Sequence, residues 1–380
     1  MNTVCQRDQC TGCMACLEVC PKYAITISDS LHAYNAEIDP AKCVGCDRCH
    51  KICQNNRTVE LSKPIKWYQG WAEDNTVRAG GSSGGAATAL MRAFVREGGY
   101  VCSCLFQEGK FVFRVTNRME EIDRFKGSKY VKSDPSGAYR AVKNLLQTGN
   151  KVLFVGLPCQ VAAMKIFVGD KLQEDLYTAD LVCHGTPSHQ LLELFLQQYG
   201  YTLSDLKDIK FRIKGKFQVR DGYKGVSTTG VTDSYLISFL NGLCYTENCY
   251  NCRYAQTERV SDITLGDSWG TNLPQEEINQ CVSLILCQTE KWKALVERAD
   301  LKRMDVDIEN AIANNKQLRA PMAKPTAKDA FFSEIRHGKK YNRVIFHIYP
   351  KQSFRQWVKM ILIKTHLYHG GGMIYRVKIV

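Results

Sequence analysis

Eight of the eighteen cysteines in this 380-residue chain fall into two runs of identical spacing. Cys10, Cys13, Cys16 and Cys20 follow C-x2-C-x2-C-x3-C with Pro21 behind them, and Cys43, Cys46, Cys49 and Cys53 repeat it. Gaps of two residues let three thiolates on one tight loop reach three irons of a cubane, while the fourth, a helical turn further on, points at the other cluster. The crossover assigns Cys10, Cys13, Cys16 and Cys53 to one 4Fe-4S cluster, and Cys43, Cys46, Cys49 and Cys20 to a second. A structural zinc site takes four ligands and has no use for a third Cys at this step. Gln54 stands where the repeat would place a second Pro, which removes no ligand. Cys5 lies outside the pattern and reads as a bystander.

Cys159 follows the apolar segment KVLFVGL, Cys183 ends LYTADLVC, and Cys249 and Cys252 form a C-x2-C pair in the polar stretch TENCYNCRY. Two readings stand for this quartet. It can hold a third 4Fe-4S cluster, with Cys244 as the only substitute ligand. Alternatively, Cys159 and Cys183 are small buried hydrophobes and the pair holds zinc or nothing. Cys102, Cys104, Cys281 and Cys287 lie in apolar strand-like stretches and read as packing residues.

The segment AGGSSGGAATAL, residues 79–90, places glycines and hydroxyls just before a helix, where backbone N–H groups and the helix dipole suit an anion such as a pyrophosphate. A plain turn or cap is the other reading. Lys126, Lys129 and Lys132 in FKGSKYVKSDPSG read as phosphate or substrate contacts, or as a solvated loop.

The elements that must carry these groups follow from periodicity. AITISDSLHAYNAEID reads as two alternating strands around a polar turn, which closes the N-terminal module. QNNRTVELSKPIK, residues 54–66, reads as a linker. From residue 67 strand and helix signals alternate: WYQGWAE, then AATALMRAFVRE stopped by Gly98 and Gly99, then KVLFVGL, a helix, and LYTADLVC. Such a unit has parallel strands with a right-handed crossover, and Cys159 and Cys183 then share the carboxyl edge where α/β sheets place ligands. The predicted architecture is an α+β ferredoxin module at 1–57, an α/β domain with a partly parallel sheet at 67–335, and a short basic helical tail at 336–380.

With 44% hydrophobic and 23% charged residues, disorder and fibrous folds are excluded. Residues 335–380 hold ten Lys or Arg and no Asp or Glu, so the net charge of +13 is mostly a tail property and no nucleic-acid footprint. In KQSFRQWVKMILIKTH, Phe354, Trp357, Val358, Ile361 and Leu362 recur at helical spacing, with Arg355, Gln356 and Lys359 on the other side. Such a helix suits an anionic membrane surface, or docking on the body or a partner. A third reading is that the tail balances the negative charge of the clusters. No spanning-length apolar run and no signal-peptide core is visible, so the expected location is the cytoplasm, with peripheral contact at the inner face of the cell membrane through the tail.

Six motifs, GSSGG, GSKYVKSD, VLFVGLPCQVAA, DLVCHGTPS, CYNC and SDITLGDSWG, occur in the order shown by the beta subunits of coenzyme F420 hydrogenases and dehydrogenases. The chain resembles that family from about residue 67 to 335, and the family's bacterial branch carries a two-cluster ferredoxin domain in front. The resemblance implies FAD held by Ser82, Ser83, Gly84 and Gly85 and by Ser128, Lys129 and Tyr130, beside a cluster on Cys159, Cys183, Cys249 and Cys252. His184, Asp262, Asp267 and Trp269 fall in family motifs and are expected near the flavin, with Lys129, His184 and Asp267 as the catalytic candidates. The implied function is an iron–sulfur flavin-dependent oxidoreductase coupling one-electron transfer to hydride chemistry. Its redox donor would be a ferredoxin or a deazaflavin and its acceptor an organic molecule, and many bacterial relatives look like components of polysaccharide biosynthesis. The competing class is a non-catalytic electron-transfer subunit serving a partner enzyme.

Overall fold

A computed structural model of the chain describes residues 3–367. The two cysteine runs fold alike. In each, a glycine at positive φ, Gly12 at 69° and Gly45 at 67°, turns the chain. A short helix then follows, Ala15–Val19 or Arg48–Ile52. Strands β1 (Ile25–Asp29) and β2 (Tyr34–Ile38) pair antiparallel between them, Ile27 opposite Ala36. The duplication in sequence is thus a duplication in backbone.

The segment expected as a free linker is docked instead. Gln54–Asn56 forms a 3-10 turn with Gln54 fully buried, and Ser62 and Arg259 exchange backbone hydrogen bonds of 2.8 and 2.9 Å. Val59 and Leu61 pack on the same core as Cys13, Tyr139 and Tyr254. Their apolar side chains outweigh the turn signals around them.

The body is built on eight strands. They are β3 (Lys66–Ala72), β4 (Tyr100–Gln107), β5 (Lys110–Thr116), β6 (Val152–Val155), β7 (Leu176–Leu181), β11 (Ile263–Asp267), β12 (Ser283–Cys287) and β13 (Leu301–Asp305). Their order is β13-β3-β12-β11-β7-β6-β4-β5. The neighbours β4, β6, β7 and β11 run parallel, with Phe154 opposite Thr178 and Leu265 opposite Leu181, and the outer strands are antiparallel. The partly parallel sheet expected from the alternating pattern is what forms. Helix Pro158–Val168 makes the β6–β7 crossover, with Val161, Ala162, Ala163 and Met164 fully buried.

A smaller antiparallel sheet, β8 (Ile209–Ile213), β9 (Lys216–Asp221) and β10 (Lys224–Gly225), packs with helices His189–Gln197, Ser234–Leu240, Lys328–Arg336 and Tyr341–Ile348. Phe331, Phe332, Tyr341, Val344 and Ile345 are buried in this core. The body therefore runs past residue 335, and the expected tail boundary is too early, because an apolar face lies beneath its basic residues. Helix Pro350–Lys364 buries no residue, and Phe354, Trp357 and Ile361 are exposed. Gln356 faces the body, not solvent, accepting from the Thr232 N–H at 2.9 Å. Residues 368–380 of the expected tail lie outside the described residues. Among the described residues no helix is long and apolar enough to cross a membrane.

Candidate iron–sulfur and flavin site

In the N-terminal module the thiols stand around two cavities. Cys10, Cys13, Cys16 and Cys53 line one, and Cys20, Cys43, Cys46 and Cys49 line the other. Among the described residues no three His, Cys, Asp or Glu side chains converge on one point as ligands of a single ion would. The Gly12 N–H donates to Cys10 Sγ at 3.5 Å and the Ala24 N–H to Cys20 Sγ at 3.3 Å, contacts that stabilise thiolate charge. The first cavity is buried, whereas Cys43 and Cys46 are exposed. Cys5 is no bystander: it is buried and lines the first cavity as a fifth thiol. Cys5 falls outside the C-x2-C spacing, and the groups that close over it come from afar in sequence: Ala36 accepts from the neighbouring Val4 N–H, and Asn55 lies 3.8 Å from the Cys5 sulfur.

The other quartet is assembled from three elements. Cys159 opens the crossover helix after β6, Cys183 lies two residues beyond β7, Cys249 sits in the turn Glu247–Asn251, and Cys252 follows that turn. The Thr186 N–H donates to Cys249 Sγ at 3.4 Å, and the Thr246 N–H to the Thr186 carbonyl at 3.1 Å, tying the pair to the carboxyl edge. Arg259 locks the arrangement. Its guanidinium, 1% exposed, donates to Asp180 at 3.1 Å, to the Leu181 carbonyl at 2.9 Å and to the Tyr254 carbonyl at 2.5 Å. Burial pushes the Cys183 thiol up to about 12, with Cys249 and Cys252 adding to the shift. Burial likewise raises Cys159, where Cys183 and Cys252 add and Lys132 opposes. Four soft donors facing one another suit a thiolate-ligated cluster.

Cys244 is buried in the core of the smaller sheet, and Cys102 and Cys287 are packing residues. Cys281 differs, since Arg212 Nη2 lies 3.7 Å from its sulfur.

That arginine belongs to a second constellation at the same edge. Asp267 ends β11 and takes a bidentate pair from Arg212, 2.7 and 2.9 Å, and Arg212 lies between the rings of Phe217 and Trp269. Burial pulls the His184 imidazole below its usual range, with Asp267 and Arg212 as its charged neighbours. His184 and Trp269 thus both lie beside the Asp267–Arg212 pair. Asp262 does not join them. It precedes β11, about 16 Å along the strand from Asp267, and accepts from the Thr178 N–H and hydroxyl at 2.8 and 2.6 Å. Sequence reasoning misses Arg212 and Lys214, because FRIKGK reads as an ordinary basic hairpin.

The two segments expected at a flavin meet directly, as the Ser128 N–H donates to Ser82 Oγ at 2.8 Å. Ser83 Oγ donates to the Val282 carbonyl, and the Gly84 N–H to Ser283 Oγ, both at 3.1 Å. A Cβ on Gly84 would come within 2.6 Å of the Gly70 carbonyl, so the turn must press flat on β3. Gly85 turns at φ 84° into helix Ala86–Arg96. Lys214 Nζ donates to the Ser83 carbonyl at 2.9 Å and to that of Arg78, placing positive charge under the turn. Burial lowers Lys214 to about 8. Tyr130 stacks on Phe239 at 4.2 Å. Lys129 is spent on the carbonyls of Phe125 and Lys126, at 2.8 and 3.0 Å, and Lys126 pairs with Asp123 at 2.7 Å. Lys132 is not a solvated or phosphate-facing lysine; it is 6% exposed between the module and the body.

Three family models match the chain. Residues 9–56 match the 4Fe-4S dicluster domain. Residues 67–138 match the N-terminal part, and 149–311 the C terminus, of the coenzyme F420 hydrogenase/dehydrogenase beta subunit. An F(420)H(2) dehydrogenase subunit of Methanosarcina mazei is 25% identical over 299 residues, covering 73% of this chain and 82% of that protein. A chain of the xenon-derivatised F420-reducing [NiFe] hydrogenase complex from Methanosarcina barkeri aligns with a TM-score of 0.47 at 19% identity, over 69% of this chain and 94% of its own. Two consecutive parts of one family fill most of the body behind an iron–sulfur domain, and the chain belongs to the family of coenzyme F420 hydrogenase/dehydrogenase beta subunits.

Proposed function

We propose that this chain is an iron–sulfur flavoprotein oxidoreductase with three 4Fe-4S sites, on Cys10, Cys13, Cys16 and Cys53, on Cys20, Cys43, Cys46 and Cys49, and on Cys159, Cys183, Cys249 and Cys252, next to an FAD site. The observation that carries the reading is the gathering of the last quartet at the sheet edge that also bears Asp267, His184 and Trp269. Bound clusters supply one-electron transfer and a bound flavin supplies hydride chemistry.

The chain's own residues have definable tasks. The glycine turn would open helix Ala86–Arg96 toward a pyrophosphate, and the Lys214 ammonium beneath the turn would offset its charge. Arg212 fixes the Asp267 carboxylate, and His184, neutral at pH 7, offers an imidazole nitrogen for a proton at the same edge. Tyr130 and Trp269 supply ring faces. The redox donor is a ferredoxin or a deazaflavin, and the exposed Phe354, Trp357 and Ile361 rest on an anionic membrane surface. The relative's name, a dehydrogenase subunit, supports work with protein partners.

The second reading, an electron-transfer subunit without its own substrate, is favoured by one observation: the Ser83 hydroxyl and the Lys129 ammonium are already bonded within the protein. Anaerobic reduction of the holoprotein decides between them. The first reading expects a flavin band that bleaches and is restored by an added deazaflavin or organic acceptor; the absence of any flavin band would leave the second.

A further inference from the structure

Lys132 is a buried ammonium with neutral partners. It donates to the Thr11 carbonyl at 3.0 Å and to Thr186 Oγ1 at 3.1 Å, and lies 5.3 Å from the centre of the Tyr34 ring. Its own N–H is held by the Pro187 carbonyl at 3.0 Å. Among the described residues no carboxylate pairs with it. A buried cation without a counter-charge costs several kcal/mol, so such a residue normally faces an anion.

The anions available are thiolates on both sides. Thr11 sits between Cys10 and Cys13 of the first N-terminal quartet. Thr186 touches Cys249 of the body quartet, Oγ1 to Sγ 3.8 Å. One residue therefore separates the ammonium from each ligand set. Tyr139 donates its hydroxyl to the Cys13 carbonyl at 2.6 Å and belongs to the core on which Cys159 and Cys252 pack. Among the described residues the outer quartet, Cys20, Cys43, Cys46 and Cys49, in which Cys43 and Cys46 are exposed, has no such contact with Lys132.

We propose that Lys132 is a positioning residue for electron transfer: its fixed charge, shared by the inner N-terminal site and the body site, raises the reduction potentials of both and leaves the outer site unaffected. This rests on the proposed body cluster. Reduction adds negative charge to a site, so a nearby cation favours the reduced state, and removing it makes the midpoint more negative.

The test is a dye-mediated redox titration of anaerobic holoprotein followed by EPR. Lys132→Gln keeps hydrogen bonding toward Thr11 and Thr186 without the charge, Lys132→Met repeats the removal should the Gln variant not assemble, and Lys132→Arg restores the charge. Two of three midpoints are expected to move negative in the Gln or Met variant at unchanged iron content, with recovery in the Arg variant. Unmoved midpoints, an equal shift in all three, or an Arg variant shifted like the Gln variant would overturn the proposal. Failure of the underlying reading would show separately, as a missing third cluster in the unmodified protein.

Discussion

The hydroxyl of Tyr254 donates to Gln54 Oε1 at 2.5 Å. Gln54 directly follows Cys53, the last cysteine of the N-terminal module, and Tyr254 lies two residues past Cys252, so this hydrogen bond joins the two cysteine-bearing regions. Arg253 donates to the same oxygen at 2.8 Å. The residue that breaks the ferredoxin repeat is one of those that dock the module.

Gln54→Pro should restore the repeat and weaken the protein. It leaves the buried Tyr254 hydroxyl without its acceptor, a loss of about 1–3 kcal/mol. Anaerobic thermal unfolding should show a lower midpoint with iron content retained; an unchanged midpoint would mean that the dock carries no energy.

Arg259→Met should remove the body cluster selectively. The variant cuts the tie between Leu181 and Tyr254 and strands the Asp180 carboxylate, a penalty of about 3–5 kcal/mol for an uncompensated buried charge. Iron should fall by about one third, and adding Asp180→Asn should recover stability more than iron. Full iron in the single variant would show that the quartet holds without this brace.

Lys214 sets a pH dependence. Burial lowers it from 10.5 to about 8, so below pH 8 it is the charged form that sits under the glycine turn. Binding of an anionic flavin cofactor should weaken as pH rises through about 8. The stability effect has the opposite sign: between the lowered folded value and the unfolded one the unfolded chain binds more protons, so stability rises with pH there. Flavin retention measured from pH 7 to 9 should fall in the parent and stay flat in Lys214→Gln, and equal profiles would rule Lys214 out.

If the proposed membrane contact forms, the exposed stacked pair Phe354 and Trp357, with ring centres 5.7 Å apart, is the surface that carries it. Phe354→Gln with Trp357→Gln should cut co-sedimentation with vesicles containing anionic phosphatidylglycerol several-fold. Equal pelleting of parent and variant would end that reading.

Much of this molecule is legible in the sequence, because short-range spacing encodes it. The two cysteine runs, the parallel β6–β7 unit and the glycine turn before helix Ala86–Arg96 all depend on residues a few positions apart. What stays hidden depends on tertiary pairing. Arg212 meets Asp267 across 55 residues, and Arg259 reaches Asp180 across 79. Nothing in either local pattern distinguishes these arginines from surface ones. The sequence misleads on Cys5 and Lys132 for the same reason, and on the tail boundary because basic residues mask the apolar face of Tyr341–Ile348.

The central claim is that thiols just past β6 and β7, with those of Cys249 and Cys252 at the Glu247–Asn251 turn, hold a cluster of their own. Iron counted in anaerobically purified protein, with and without Cys159→Ser, tests it most directly. The account predicts about twelve irons in the parent and about eight in the variant; about eight in both would contradict it.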